Sequence, residues 1–261
     1  MIPENTHFQI RLASCEQDLL AAQRLRYCVF VEELGGSGPS ADHKGRFERD
    51  EFDDVNDHLI LVDTRRNPKE LDHVIGAYRL LKGDAAEKFG RFYSDAEYDL
   101  GPLRKSGRRL LELGRSCVSA EFRGSAAMFL LWNGLAEYVL NNGIEVLFGV
   151  ASFHGTDVEP IKMPLSWLQA HHLAPEALRV RAHPASYQRM DLVPRDLLDR
   201  HAAMLGMPAL IKAYLRLGGF VGDGAYVDRG FNTTDVCLLM DTAAMSARHK
   251  GFYTRKHEAK V

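Results

Sequence analysis

Period-two alternation in "HFQIRLA" (residues 7–13) predicts an opening strand. From Cys15 the apolar positions move to helical spacing through "CEQDLLAAQRLRYCVFVEEL", until Gly35-Gly36 supplies a helix stop. Residues 35–56 are polar and acid-rich and predict a long loop. "HLILVD" (58–63) and "HVIGAYRLLK" (73–82) read as two strands of a hairpin. Residues 83–108 show no periodicity, and "RLLELGRSCV" (109–118) is the next strand. "SAAMFLLWNGLAEYVLNNG" (125–143) predicts an amphipathic helix, and the continuous apolar run "IEVLFGVASF" (144–153) a strand buried on both faces. Helical patterns follow near 160–173, 195–205 and 208–217, and strands near 225–228 and 235–241. The order predicts an α/β fold whose first half is mostly antiparallel.

Composition narrows the class. The 261 residues are 46% hydrophobic and 26% charged, with a formal net charge of −2, which is ordinary for a globular chain. Near-neutrality argues against nucleic acid as the main partner. The first residues lack the zones of a secretory signal, and no apolar run approaches the ~18 residues of a spanning helix. Cys15, Cys28, Cys117 and Cys237 are widely spaced and predict free thiols rather than disulfides or a zinc site. A cytoplasmic protein is expected.

Three features carry candidate chemistry. In the 109–118 strand, Glu112 shares a face with Gly114 and Ser116, which would leave space for a small nucleophile to approach a general base. A structural role, with Glu112 paired to a core arginine, is equally open. Arg79 lies inside an apolar strand and Arg26 inside the first helix, four residues before Phe30. "ERDEFDDVND" packs acids between Glu48 and Asp57. Cations in apolar contexts beside a dense acidic loop suit a zwitterionic ligand, arginines taking its carboxylate and acids its amine. His58 and Asp63 fall on opposite strand faces, and His171-His172 diverge on a helix, so neither pair makes a site; no metal is expected. No phosphate-loop, dinucleotide or serine-hydrolase motif is present. "FRGSAA" is only a degenerate anion loop.

Taken together, "RYCVF", "DEFD", "GAYRLL" and "ELGRSCV" occur in the order and approximate spacing of the acyl-homoserine-lactone synthases. The fuller set "LRYxVFVEELG", "FDxxxDHL", "LFGVASFHG" and "PALIKAYLRLGG…FNTTDVCLLMD" more closely resembles the L-ornithine N-alpha-acyltransferases, over about residues 20–241. The resemblance implies a GNAT-like fold, a bent mixed β-sheet flanked by helices. Its core would span about 7–155, a C-terminal helical elaboration about 156–241, and a loose basic tail 242–261. It implies Glu112 as catalytic base and Arg26, Phe30, Asp50, Asp53, Arg79 and Arg115 as the shared charged and aromatic positions, with Asp57 joining the loop acids at the substrate. An acyl and pantetheine groove would run along Ser116, Cys117, Val118, Arg123 and Gly124. The implied reaction moves a 3-hydroxyacyl chain from acyl carrier protein to L-ornithine; phosphopantetheine arrives on the carrier and no cofactor is bound. Arg104, Lys105, Arg108, Arg109 and Arg123 would form a basic rim for the acidic carrier. Amphipathic helices over 195–217 suit either core packing or contact with the inner face of the membrane. Two departures separate the chain from the lactone synthases: Leu34-Gly35 stands where they have tryptophan, and Gly114 where they have a small hydroxyl residue. Signal synthesis from S-adenosylmethionine, or carrier binding without catalysis, are the alternatives.

Overall fold

The computed structural model describes residues 7–124 and 126–243. Ser125, expected to open the long helix, and all but the first two residues of the expected tail lie outside them. The chain is mixed α/β, as predicted, and forms two compact units. One comprises the described residues up to Phe89 with Leu113–Gly143; the other comprises Gly90–Glu112 with those from Ile144 onward.

In the first unit, strands Phe8–Leu12, Asp57–Asp63 and Val74–Lys82 pair antiparallel in that order. Directly opposed residues share a face. His58 opposes Arg79 and Ile60 opposes Ala77 on one face, while Asp57 opposes Leu80 and Leu59 opposes Tyr78 on the other. Helix Glu16–Arg26 covers the first face, its Ala21, Ala22 and Leu25 packing with Ile60, Val62, Ala77 and Cys117. Each such leucine contributes about 1.5–3 kcal/mol when fully buried. Helix Ala127–Asn141 covers the second face at close range. A Cβ on Gly134 would collide with Ile10, and one on Gly76 would lie 2.7 Å from Leu131 Cδ1. The first helix continues beyond Arg26 as a wider π-helical segment, Tyr27–Glu33, and ends where Gly35 takes φ +74. The predicted stop is therefore where the chain uses it.

In the second unit, the start of strand Leu110–Val118 runs parallel to Val146–His154, with Leu110 opposite Val146 and Glu112 opposite Phe148. Thr233–Asp241 then pairs antiparallel with Val146–His154, and Ala225–Asp228 with Thr233–Asp241. Helices Lys162–His171, Arg200–Gly206 and Ala209–Arg216 occupy the later part. Two stretches expected to be irregular are not wholly so. The loop 35–56 contains a miniature hairpin, Ala41–Asp42 against Phe47–Glu48, and 83–108 contains helices Gly83–Phe89 and Gly101–Lys105 and a 3-10 turn, Tyr93–Ala96. Elements of two to seven residues are too short to show a period. No helix among the described residues is long and apolar enough to cross a membrane.

Candidate active site

The arginines and loop acids singled out in the sequence do meet, on the sheet face covered by the first helix. Arg26 grips Asp53 with both terminal nitrogens, each 2.7 Å from a carboxylate oxygen. Its Nε lies 2.6 Å from Glu48 Oε2, and its Nη2 also donates to the Glu48 carbonyl. Arg79 Nη1 donates to Asp50 at 2.5 Å and to Asp53 at 3.2 Å. Arg115 Nε donates to Glu48 Oε1 at 2.9 Å, with Asp50 3.6 Å from its Nη2. Gln23 completes Asp53 at 3.1 Å, and His58 Nε2 donates to the Asp53 carbonyl at 2.9 Å. Three guanidinium groups thus face three carboxylates, so the cluster neutralises itself.

Arg26, Glu48, Asp53 and Arg79 are almost wholly buried; Asp50 and Arg115 keep 18% and 14% of their side chains exposed. Burial by itself would raise the Asp53 carboxyl, but the Arg26 hydrogen bonds and the charges of Arg26 and Arg79 outweigh it and bring it to about 2. Glu48 is likewise lowered against burial, by Arg115, Arg26 and Arg79. His58 is lowered, chiefly by desolvation. Arg115 itself sits inside a strand at φ +49, a left-handed conformation that costs a non-glycine residue about 1–3 kcal/mol and persists only where surroundings enforce it. Its Glu48 pairing is one such restraint.

Asp57 does not join this group. Being one residue from His58 in the strand, it faces the opposite helix, where Tyr138 donates to it at 2.5 Å and Lys82 lies 3.5 Å away. Glu48 was the member that sequence reasoning left out of the site. Nothing in an acid-rich run distinguishes it until the short strand Phe47–Glu48 turns it inward.

Glu112 is 3% exposed, in the second unit. The Tyr93 amide donates to its Oε2 at 2.8 Å and the Ser94 amide to its Oε1 at 2.7 Å. These are the first N–H groups of the 3-10 turn Tyr93–Ala96, whose orphan donors a carboxylate satisfies well. The carboxylate is held in a fixed orientation, and an ionised carboxylate has about four acceptor positions in all. In the same unit Glu97, Asp228 and Asp235 each bring one oxygen within 4.8 Å of the others, a grouping that no sequence motif announced.

The remaining expected residues fall as follows. Phe30 packs, partly buried, against the core that contains Cys117. The Cys117 thiol is pushed up to about 12 by burial, which makes it inert packing. Ser116 is half-buried and Val118 buried, and the Val118 carbonyl accepts from Arg123 Nε at 3.0 Å. Arg123 pairs with Glu33, and Gly124 takes φ +78. Of the basic rim, Arg104 is bound to Asp95 and Arg108 to Asp241, both bidentate. Lys105 and Arg109 are exposed.

Residues 25–133 match the acetyltransferase (GNAT) domain. Over 253 residues the chain is 64% identical to an L-ornithine N(alpha)-acyltransferase of Rhodobacter capsulatus, covering 97% of each protein. It is 40% identical over 247 residues to the enzyme of that name from Brucella abortus, covering 94% of this chain and 88% of the relative. Among solved structures it is similar to a CoA-dependent acyl-homoserine lactone synthase, BjaI, with TM-score 0.55 and 14% identity over 95% of this chain and 89% of that one. A second similar structure is FeeM, an N-acyl amino acid synthase from uncultured soil microbes, with TM-score 0.52 and 10% identity over 91% of each. At such identities the two structures share the fold.

Proposed function

This chain belongs to the L-ornithine N(alpha)-acyltransferase family, and we propose that it moves a 3-hydroxyacyl chain from acyl carrier protein to the α-amine of L-ornithine, giving lyso-ornithine lipid. The observation that carries this reading is identity of 64% spread over 97% of both proteins, rather than confined to the shared acetyltransferase region. In the proposed reaction Glu112, through a water, takes one proton from the ornithine α-ammonium. The free amine attacks the thioester carbonyl carbon, forming a C–N bond. Backbone N–H groups near 116–118 support the oxyanion, and the C–S bond then breaks. The departing pantetheine thiolate takes up a proton, and the product is an amide. The reaction needs no metal or redox group, and its thiol arrives on the carrier.

Within the charge cluster we assign substrate contact to the two members with exposed surface, Asp50 for the side-chain ammonium and Arg115 for the carboxylate. Arg26, Glu48, Asp53 and Arg79 support them. Lys105 and Arg109 are assigned to the acidic carrier. Peripheral membrane contact is assigned to Leu197 and Leu205, 62% and 79% exposed, while Ile211 and Tyr214 of the neighbouring helix serve packing. An acyl-transfer assay offering L-ornithine, lysine and S-adenosylmethionine at equal concentration, with acyl carrier protein or coenzyme A as donor, tests the whole reading. Acyl-ornithine made preferentially from the carrier supports it. Lactone from S-adenosylmethionine, or equal use of acyl-CoA at any salt concentration, overturns it.

A further inference from the structure

The turn that holds Glu112 carries one buried side-chain oxygen with no protein partner among the described residues. Ser94 is fully buried; its amide binds Glu112 Oε1 at 2.7 Å and its carbonyl accepts from the Glu97 amide at 3.1 Å. Its hydroxyl has no hydrogen-bond partner among the described residues. A buried hydroxyl in that condition costs about 1–3 kcal/mol, and most buried side-chain polar atoms are satisfied. Alanine would make the same backbone bond to Glu112 and carry none of that cost. The hydroxyl is carried by the same residue whose amide touches the carboxylate, three bonds from that nitrogen.

Resting on the reading of Glu112 as proton acceptor, we propose that Ser94 is a positioning residue, whose hydroxyl and the Glu112 carboxylate together hold the water that carries the acceptor's proton. The water receives a proton from the α-ammonium nitrogen as it passes one of its own to a Glu112 oxygen. It is unchanged overall, and the serine keeps its proton. A buried water requires two or more polar contacts to be held in place. Glu112 supplies one and Ser94 the other, and the water in turn satisfies the buried hydroxyl.

The test compares full-length Ser94→Ala and Glu112→Gln with the parent enzyme, measuring Tm, kcat and the ornithine KM with acyl carrier protein as donor. For Ser94→Ala the expected Tm is close to the parent's, because the bond to Glu112 is made by the amide and the hydroxyl bonds no described protein group. Its kcat should fall about tenfold to a hundredfold, as a misplaced reacting group does, with KM within about twofold. Ser94→Ala with parental kcat, beside an inactive Glu112→Gln, overturns the role of Ser94 and leaves the base intact. Ser94→Ala that loses Tm, kcat and substrate affinity together overturns it in favour of a packing role. A fully active Glu112→Gln overturns the base reading and the relay with it.

Discussion

Replacing Asp53 by alanine separates two roles that the sequence alone could not. If Asp53 meets the substrate amine, its loss raises the ornithine KM and spares the fold. The structure gives both its oxygens to Arg26, one also to Gln23 and one also to Arg79. Removing it leaves Arg26, 1% exposed, without its bidentate partner. Breaking a buried pair from one side costs about 3–5 kcal/mol, because the surviving charge stays desolvated. In a chain of this size each kcal/mol moves Tm by roughly 2–4 °C, so a fall of about 10 °C is expected. Titration gives a second handle. The folded-state carboxyl lies below its unfolded value, so the native state binds fewer protons and the contribution is present above the unfolded pKa. Lowering Asp53 from 3.8 to about 2 is worth roughly 2–3 kcal/mol. That amount should be fully present above about pH 4 and lost as pH falls towards 2. Urea unfolding of parent and Asp53→Ala across this window measures both effects. Unchanged urea midpoints with a large rise in ornithine KM would refute the reasoning and restore Asp53 to the substrate.

Gly134→Val should destabilise by at least about 1–3 kcal/mol in urea unfolding, since even a Cβ there collides with Ile10; parental stability would mean the helix does not press on the sheet as described. Reversing Lys105 and Arg109 to glutamate should raise KM for the acyl carrier with little change in kcat, and the difference should shrink as salt rises. A salt-independent change, or none, removes those residues from the docking surface. Leu197→Ser with Leu205→Ser should reduce co-flotation with anionic vesicles without lowering Tm, since both side chains are exposed; a parent protein that does not float ends the membrane assignment.

The main elements were readable because each is long enough to display its period: the strands at 58–63 and 73–82, the helix after Cys15, the buried strand near 146. The Arg–acid cluster was readable as a set of misplaced charges, since a cation in an apolar strand or helix face implies a partner. Its internal bookkeeping was not. Whether Arg26 binds Asp53 or a ligand depends on how the loop 35–56 folds back, and that loop has no periodicity to read. Asp57 illustrates the smallest gap: one residue of strand register sends it to Tyr138 instead of Arg79. The turn at Tyr93–Ala96, which fixes Glu112, was invisible for a different reason. It works through backbone N–H groups, and any residue but proline supplies one.

The two kinds of carboxylate environment explain why the acids of the chain are not interchangeable. Asp53 and Glu48 are held by guanidinium groups, and a proton placed on either must break an ion pair made at the cost of burial. That arrangement suits a scaffold: it fastens the loop 35–56 to the first helix and the sheet through Arg26, Arg79 and Arg115. Glu112 accepts from two amides fixed by a 3-10 turn. Those two amides fix the direction of its oxygens, and its charge also acts on the Arg104 guanidinium. A relay base must gain and release a proton in every turnover while its oxygens stay aimed at one point. The two fixed amides keep the Glu112 oxygens aimed, and on that ground we propose proton transfer at Glu112 and support at Asp53.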